Sequence, residues 1–90
     1  MRYLVHSMQR PGLTDAENLR LYEAMGVFYS KIPEGVTLEC DYVRADKLGS
    51  YSVLSVPDRG VLDRVLAPFD GLVVLDVVEV MTAQESMAGG

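Results

Sequence analysis

The residues best suited to proton transfer in this sequence are its single histidine, His6, and an aspartate near the other end of the chain, Asp76. An imidazole titrates near neutral pH, and a neighbouring carboxylate fixes its tautomer and raises its pKa, which is the arrangement of a general base. The same two side chains could instead form a hydrogen-bonded structural pair, because buried polar groups usually have partners. Both interpretations require a fold that brings His6 and Asp76 together as neighbours on one surface.

Three further side chains are candidates for substrate binding: Glu39, Tyr51 and Ser52. Glu39 and Asp41 lie two residues apart in an alternating segment, so we expect them to share the face opposite Leu38 and Cys40. There they either line the rim of a ligand cavity or form the solvated face of an edge strand.

Tyr51 and Ser52 belong to another extended segment, and the Ser52 hydroxyl is the one we expect to face a ligand. Strands favour tyrosine by propensity, so Tyr51 has an ordinary structural explanation as well. Cys40 lies among apolar residues with no His or Lys near it in sequence, which indicates an inert thiol. One His and one Cys far apart make no zinc site, and no Gly-rich loop opens a helix. We therefore expect no metal and no other cofactor.

Six predicted elements must position these side chains. Thr14 and Glu17 form a capping-box pattern that begins a helix, and Pro33 ends it. Asp58 is a plausible N-cap for a second, shorter helix, which Pro68 closes. Alternating or β-branched runs predict four strands, over residues 2–8, 36–43, 50–56 and 72–81.

The resulting order, β-α-β-β-α-β, predicts an α+β fold of the ferredoxin-like type. Right-handed crossovers place both helices on one face of a four-stranded antiparallel sheet. We expect one domain over residues 1–81 and a loose C-terminal tail over 82–90, which includes Gly89 and Gly90.

The last predicted strand is apolar in both registers, with Leu75 and Val77 on one side and Val74 and Val78 on the other. A strand that is apolar on both faces must be buried on both faces. Because the helices cover only one face of the sheet, we expect a second copy of the chain to cover the other face in a two-fold homodimer.

In element order, strand patterning and this two-sided last strand, residues 2–81 resemble the dimeric α+β barrel superfamily. The hairpin EGVTLECDYVRADKLGSYSVLSVPD, a short helix and a Val-rich strand look most similar to a group of short bacterial proteins of unknown function. The superfamily includes isomerases, cyclases and cofactor-free or haem-degrading oxygenases, and the resemblance implies a ligand-sized cavity in each half of the barrel. The chain has no Trp, its one Asn is Asn18, and His6 is a strand residue, so it departs from the oxygenase members.

Composition narrows the function further. The net charge is −5 and no Lys or Arg follows Arg64, which disfavours nucleic acid and anionic membrane surfaces as partners. One cysteine and no apolar leader predict a cytoplasmic protein. The leading hypothesis is a cofactor-free enzyme, an isomerase, cyclase or related catalyst, acting on a small apolar or aromatic bacterial metabolite inside the barrel. The alternative is a non-catalytic dimeric module that binds a ligand or another protein.

Overall fold

The computed structural model describes residues 1–88, which form four strands and three α-helices. All four predicted strands and both predicted helices are confirmed, with ends that shift by a few residues. A short 3-10 turn at 67–69 follows the second helix. The elements in chain order are β1 (Arg2–Gln9), α1 (Asp15–Ser30), β2 (Thr37–Val43), β3 (Gly49–Ser55), α2 (Arg59–Leu66), β4 (Val73–Glu79) and α3 (Ala83–Ala88).

The four strands form one antiparallel sheet in the order β2-β3-β1-β4. Tyr3 and Val5 of β1 and Leu54 of β3 pack against Leu62 of α2, with Phe28 of α1 beside them, so both helices cover the same face. We call this face the helix side and the opposite one the open face. The architecture is α+β with a four-stranded antiparallel sheet, consistent with the ferredoxin-like prediction.

Side-chain caps fix where the two long helices begin. The Thr14 hydroxyl accepts a hydrogen bond from the Glu17 amide at 3.1 Å, and the Glu17 carboxylate accepts from the Thr14 amide at 3.0 Å. Asp58 caps α2 by accepting from the Val61 amide at 3.0 Å. These bonds satisfy amides that have no partner within the helix. Within residues 1–88, no helix combines the length and the apolar character that a bilayer crossing requires.

One extra residue in β2 reverses the faces predicted for the side chains in the second half of this strand. A β-bulge between Leu38 and Cys40 inserts Glu39 as an extra residue opposite β3. The alternation therefore reverses at this point: Leu38 points to the helix side, Cys40 to the open face and Asp41 to the helix side again. The expectation that Glu39 and Asp41 share a face is corrected, because the bulge places them on different sides of the sheet.

The C-terminal segment, predicted as a loose tail over 82–90, contains a third helix. Residues 83–88 form α3, which begins with a capping box in which Thr82 and Glu85 exchange hydrogen bonds of 3.0 and 3.2 Å. Arg2 donates a further hydrogen bond to the Glu85 carboxylate, so α3 is linked to β1. The hydrogen bond from Arg2, followed by those from Thr82, lowers the pKa of Glu85. Gly89 and Gly90 lie outside the described residues.

The two-sided apolar character of β4 is visible in its exposure. Leu75 and Val77 are half-buried against the helix-side core, whereas Val74 and Val78 on the open face are 59% and 50% exposed. The open face of a single chain thus presents apolar side chains to solvent.

Gly49 provides a test of how tightly β3 packs on β1. A Cβ at this position would lie 2.3 Å from the Ser7 carbonyl oxygen, too close for any real contact. We expect Gly49→Ala to lower the free energy of unfolding by about 1–3 kcal/mol, since the strands must separate to admit the methyl group. Chemical denaturation measures the change.

Gly26 supplies the matched control, because a Cβ there would contact nothing within 4 Å. Gly26→Ala should leave stability unchanged or raise it by up to about 1 kcal/mol, through the higher helix propensity of alanine. Equal effects of the two substitutions would contradict the packing described at Gly49.

Candidate functional site

A cavity of about 150 Å³ lies on the helix side, between the sheet, α1 and the 3-10 turn. Most of its wall is apolar, and the sheet, α1 and the 3-10 turn all contribute to it. Exposed residues of the β2–β3 hairpin, Lys47 and Leu48, line it at one end and mark its mouth. A concave apolar site with a few polar groups is the usual form of a small-molecule site. The main apolar contributors are Val5, Leu21, Met25, Phe28, Phe69 and Leu75.

The sheet contributes three serine hydroxyls to this mostly apolar cavity: Ser7, Ser50 and Ser52. Ser7 and Ser50 face each other across β1 and β3, with their Oγ atoms 3.1 Å apart. Ser52 is 8% exposed, and its Oγ donates a hydrogen bond of 2.7 Å to Asp41 Oδ1. The three hydroxyls are therefore held by two paired strands, β1 and β3.

Asp41 is the carboxylate behind this polar surface. Its Oδ1 accepts from Ser52, and its Oδ2 accepts a short hydrogen bond from the Tyr29 hydroxyl of α1. Burial, followed by the hydrogen bond to Asp41 and its negative charge, raises the pKa of Tyr29 to about 12. Tyr29 therefore stays a neutral donor at physiological pH and ties α1 to β2.

These groups form a chain through which a proton can move. Ser52 stands between the cavity and Asp41, so a proton taken up at Ser52 Oγ can be matched by transfer of the serine's own proton to Asp41. The Asp41 carboxylate can accept the proton that Ser52 gives up, which is the role of a general base. The arrangement is suited to proton transfer on a bound molecule.

The residues predicted to be catalytic lie on the other side of the sheet. His6 and Asp76 face each other in the β1–β4 register on the open face, as strand parity predicts. No hydrogen bond joins them among the described residues: His6 Nε2 is buried and unpartnered, while the Asp76 side chain is exposed. The His6 ring instead stacks on Tyr51, with centroids 4.4 Å apart and planes inclined by 4°.

The predicted substrate-binding residues separate in the same way. Ser52 lines the helix-side cavity, whereas Tyr51 lies on the open face between Tyr42 and His6. Glu39 accepts a hydrogen bond of 2.8 Å from Arg2 and touches neither the cavity nor His6. The candidates therefore belong to two surfaces, and only Ser52 lies in the cavity.

Sequence reasoning missed most of the cavity's polar groups. Tyr29 and Asp41 come together only because of the bulge, which leaves no recognisable mark in the sequence. Ser50 and Ser52 did carry a signal: serines two apart in a strand share a face, and Leu54, two further on, belongs to the core. That pattern predicts hydroxyls on the buried side.

A second hollow, of about 380 Å³, lies between the end of α1 and α2. Its charged lining residues, Lys31, Glu34 and Arg64, are all exposed, and no set of hydroxyls lines it. It therefore offers less specific chemistry than the smaller cavity. Within the part of the chain that the structure describes, no three His, Cys, Asp or Glu side chains group as metal ligands would.

Comparison with known families gives one match. A family model described as Domain of unknown function (DUF3303) matches residues 1–89, so the chain belongs to this family. The search of curated proteins found no match. The match agrees with the predicted resemblance to a group of proteins of unknown function.

The raised pKa of Tyr29 predicts a pH dependence of stability. An unfolded tyrosine ionises near pH 10 and Tyr29 in the folded protein near 12, so the unfolded state loses its proton first. Stability from this group is complete below pH 10 and falls between about pH 10 and 12. We expect the wild type to lose more stability over this interval than Tyr29→Phe, measured by urea denaturation at each pH. Tyr22→Phe, on the exposed side of the same helix, serves as the control, and parallel pH curves for wild type and Tyr29→Phe would contradict the prediction.

Proposed function

We propose that this member of the DUF3303 family is a cofactor-free enzyme, an isomerase, cyclase or related catalyst, that acts on a small apolar or aromatic metabolite in the helix-side cavity. The observation that supports it most is the placement of the Asp41–Ser52 pair beside an apolar cavity. Apolar walls bind and desolvate the molecule, and the hydroxyl–carboxylate pair moves a proton. No other group is required by this chemistry.

The proposed reaction is a proton relocation. Ser52 Oγ removes a proton from the bound molecule while its own proton passes to Asp41 Oδ1. The electron pair left on the molecule shifts along its conjugated system, and the proton returns at another atom by the reverse path. Atoms and electrons balance, because the product is an isomer of the substrate. Tyr29 holds Asp41 in position through its hydrogen bond.

We further propose that the protein is a homodimer, built by contact of two open faces as in the dimeric α+β barrels. The support is the exposure of Tyr42, Val74 and Val78 on the face opposite to the one that α1 and α2 cover. In this assembly, His6 lies at the interface, stacked on Tyr51, and its part there is structural.

The alternative function, a non-catalytic dimeric module that binds a ligand or another protein, uses the same cavity and the same open face. Its support is the modest polar content of the cavity, in which hydroxyls outnumber charged groups. The two functions differ in one property: a binding module holds its ligand without exchanging the ligand's protons with water.

Proton exchange therefore tests the catalytic proposal. We expect the wild type, incubated in D₂O with small cyclic ketones and phenols, to exchange carbon-bound protons of at least one compound, measured by loss of its proton NMR signal. Asp41→Asn should reduce the rate at least about 100-fold, the usual contribution of a general base, while binding persists. The control is Glu39→Gln, since Glu39 is the bulged residue of the same strand and lies outside the cavity. Binding without exchange by the wild type would favour the non-catalytic module, and no binding of any compound would reject the catalytic proposal and leave only a module that binds another protein.

Sedimentation tests the dimer. We expect the wild type to sediment as a dimer at micromolar concentration, since an interface of about 1,000 Å² or more is typical of specific association. Val74→Asp should dissociate or unfold it, because the substitution buries an unpaired charge. Leu19→Asp is the matched control: Leu19 is 60% exposed, close to 59% for Val74, but lies on α1. A stable wild-type monomer, or equal dissociation by both variants, would exclude the open face as the interface.

A further inference from the structure

We propose that the molecule bound in the helix-side cavity is a single-ring compound carrying a hydroxyl group, with that hydroxyl placed between Ser52 and the Ser7–Ser50 pair. This inference rests on the proposed function and names its ligand class. It follows from three properties of the cavity: its hydrogen-bond inventory, its volume and the charge beside it.

The serines of the cavity do not all offer the same hydrogen-bonding group to a ligand. A serine hydroxyl has one hydrogen to donate and two lone pairs that accept. The hydrogen of Ser52 is used by Asp41, so Ser52 can only accept from a ligand. Ser7 and Ser50 share one hydrogen between their oxygens, which leaves the pair one hydrogen to donate. The three serines thus offer an acceptor at Ser52 and a donor at the Ser7–Ser50 pair.

A ligand hydroxyl matches both positions at once. It donates its hydrogen to Ser52 and accepts the free hydrogen of the Ser7–Ser50 pair. A carbonyl oxygen would use only the donor, and a methyl group would leave both positions unpaired. Buried polar groups without partners weaken binding, so the match favours the hydroxyl.

The volume limits the remainder of the ligand. An apolar cavity of about 150 Å³ has been shown in another protein to hold a benzene molecule. The cavity here has about 150 Å³ and is lined by the Phe28 and Phe69 rings and by Met25. One six-membered ring fills such a space, whereas part of a fused ring system would extend through the open end into solvent.

The charge beside the cavity opposes an anionic group at the same position. Asp41 receives hydrogen bonds only from neutral hydroxyls, those of Ser52 and Tyr29, among the bonds of the described residues. Among the described lining residues, the one cation is Lys47, at the mouth. A carboxylate at the serines would face the Asp41 charge without compensation, so the polar group in the cavity is a neutral hydroxyl.

Phenol and toluene test the proposal, because they have nearly the same shape and differ by a hydroxyl in place of a methyl group. Benzoate supplies the anionic comparison. Binding is measured by titrating ¹⁵N-labelled protein and following the amide resonances of the cavity residues, including those of Ser50 and Ser52. We expect phenol to bind about tenfold more tightly than toluene, the factor that about one net hydrogen bond provides. Benzoate should bind more weakly than both.

The double variant Ser7→Ala/Ser50→Ala removes the donor together with its hydrogen-bonded partner, a change that leaves no polar atom unpaired. It should reduce the preference for phenol to about twofold. Ser52→Ala removes the acceptor and gives an independent second variant. Ser55→Ala, on the open face of the same strand, should leave the preference unchanged.

The outcomes separate this inference from the proposed function. Toluene binding as tightly as phenol, benzoate binding most tightly, or a preference that both serine variants retain would each overturn the hydroxyl assignment and leave the cavity as a ligand site. If none of the three compounds shifts the cavity resonances, the ligand site is rejected and the inference with it.

Discussion

A single extra residue in β2 determines which chemistry each face of the sheet can support. Without the bulge at Glu39, strict alternation would carry Asp41 to the open face and Cys40 and Tyr42 to the helix side. With it, the Asp41 carboxylate lies on the helix side behind the cavity wall, where Ser52 and Tyr29 supply its hydrogen bonds, and the Tyr42 ring joins the open face. A bulge commonly re-aims a side chain in this way, at the cost of local ladder hydrogen bonding. Here it separates the Asp41 carboxylate, beside the cavity, from the open face that carries Tyr42.

The two faces of the sheet therefore support different kinds of interaction. The helix side combines a well-packed apolar core around Leu54 and Leu62 with a cavity that the packing leaves partly unfilled. The open face carries a row of side chains across all four strands, from Tyr42 and Tyr51 to His6 and Asp76. Within that row the His6 ring stacks on the Tyr51 ring, and the Asp76 carboxylate lies at the β4 edge.

Local chemistry in the sequence was sufficient to predict the element order and both helix caps, because Thr14 and Asp58 act on amides within three residues of themselves. Strand pairing was sufficient to predict that His6 and Asp76 are neighbours, since β1 and β4 must be adjacent in this topology. The bulge could not be predicted in the same way, because it depends on how β2 meets β3 and not on the identity of Glu39. The cavity could not be predicted either, because its wall is formed jointly by the sheet, α1 and the 3-10 turn. The sequence does contain the capping pair of α3, Thr82 and Glu85. The small and polar residues that follow show no helical periodicity, so the pair alone was not sufficient to predict the start of a helix.

The central position of β1 has a consequence for how the chain reaches its fold. Both neighbours of β1 come much later in the sequence, and β4 comes from the opposite end. Pairings between distant segments form slowly, so β1 and the valine-rich β4 must remain unpaired while the chain is incomplete or searching for its register. Such a segment is prone to intermolecular β-aggregation, and a charge within it suppresses the process. Asp76, set among valines at the midpoint of β4, occupies the place of such a gatekeeper, which would protect the newly synthesised chain before any folded surface exists.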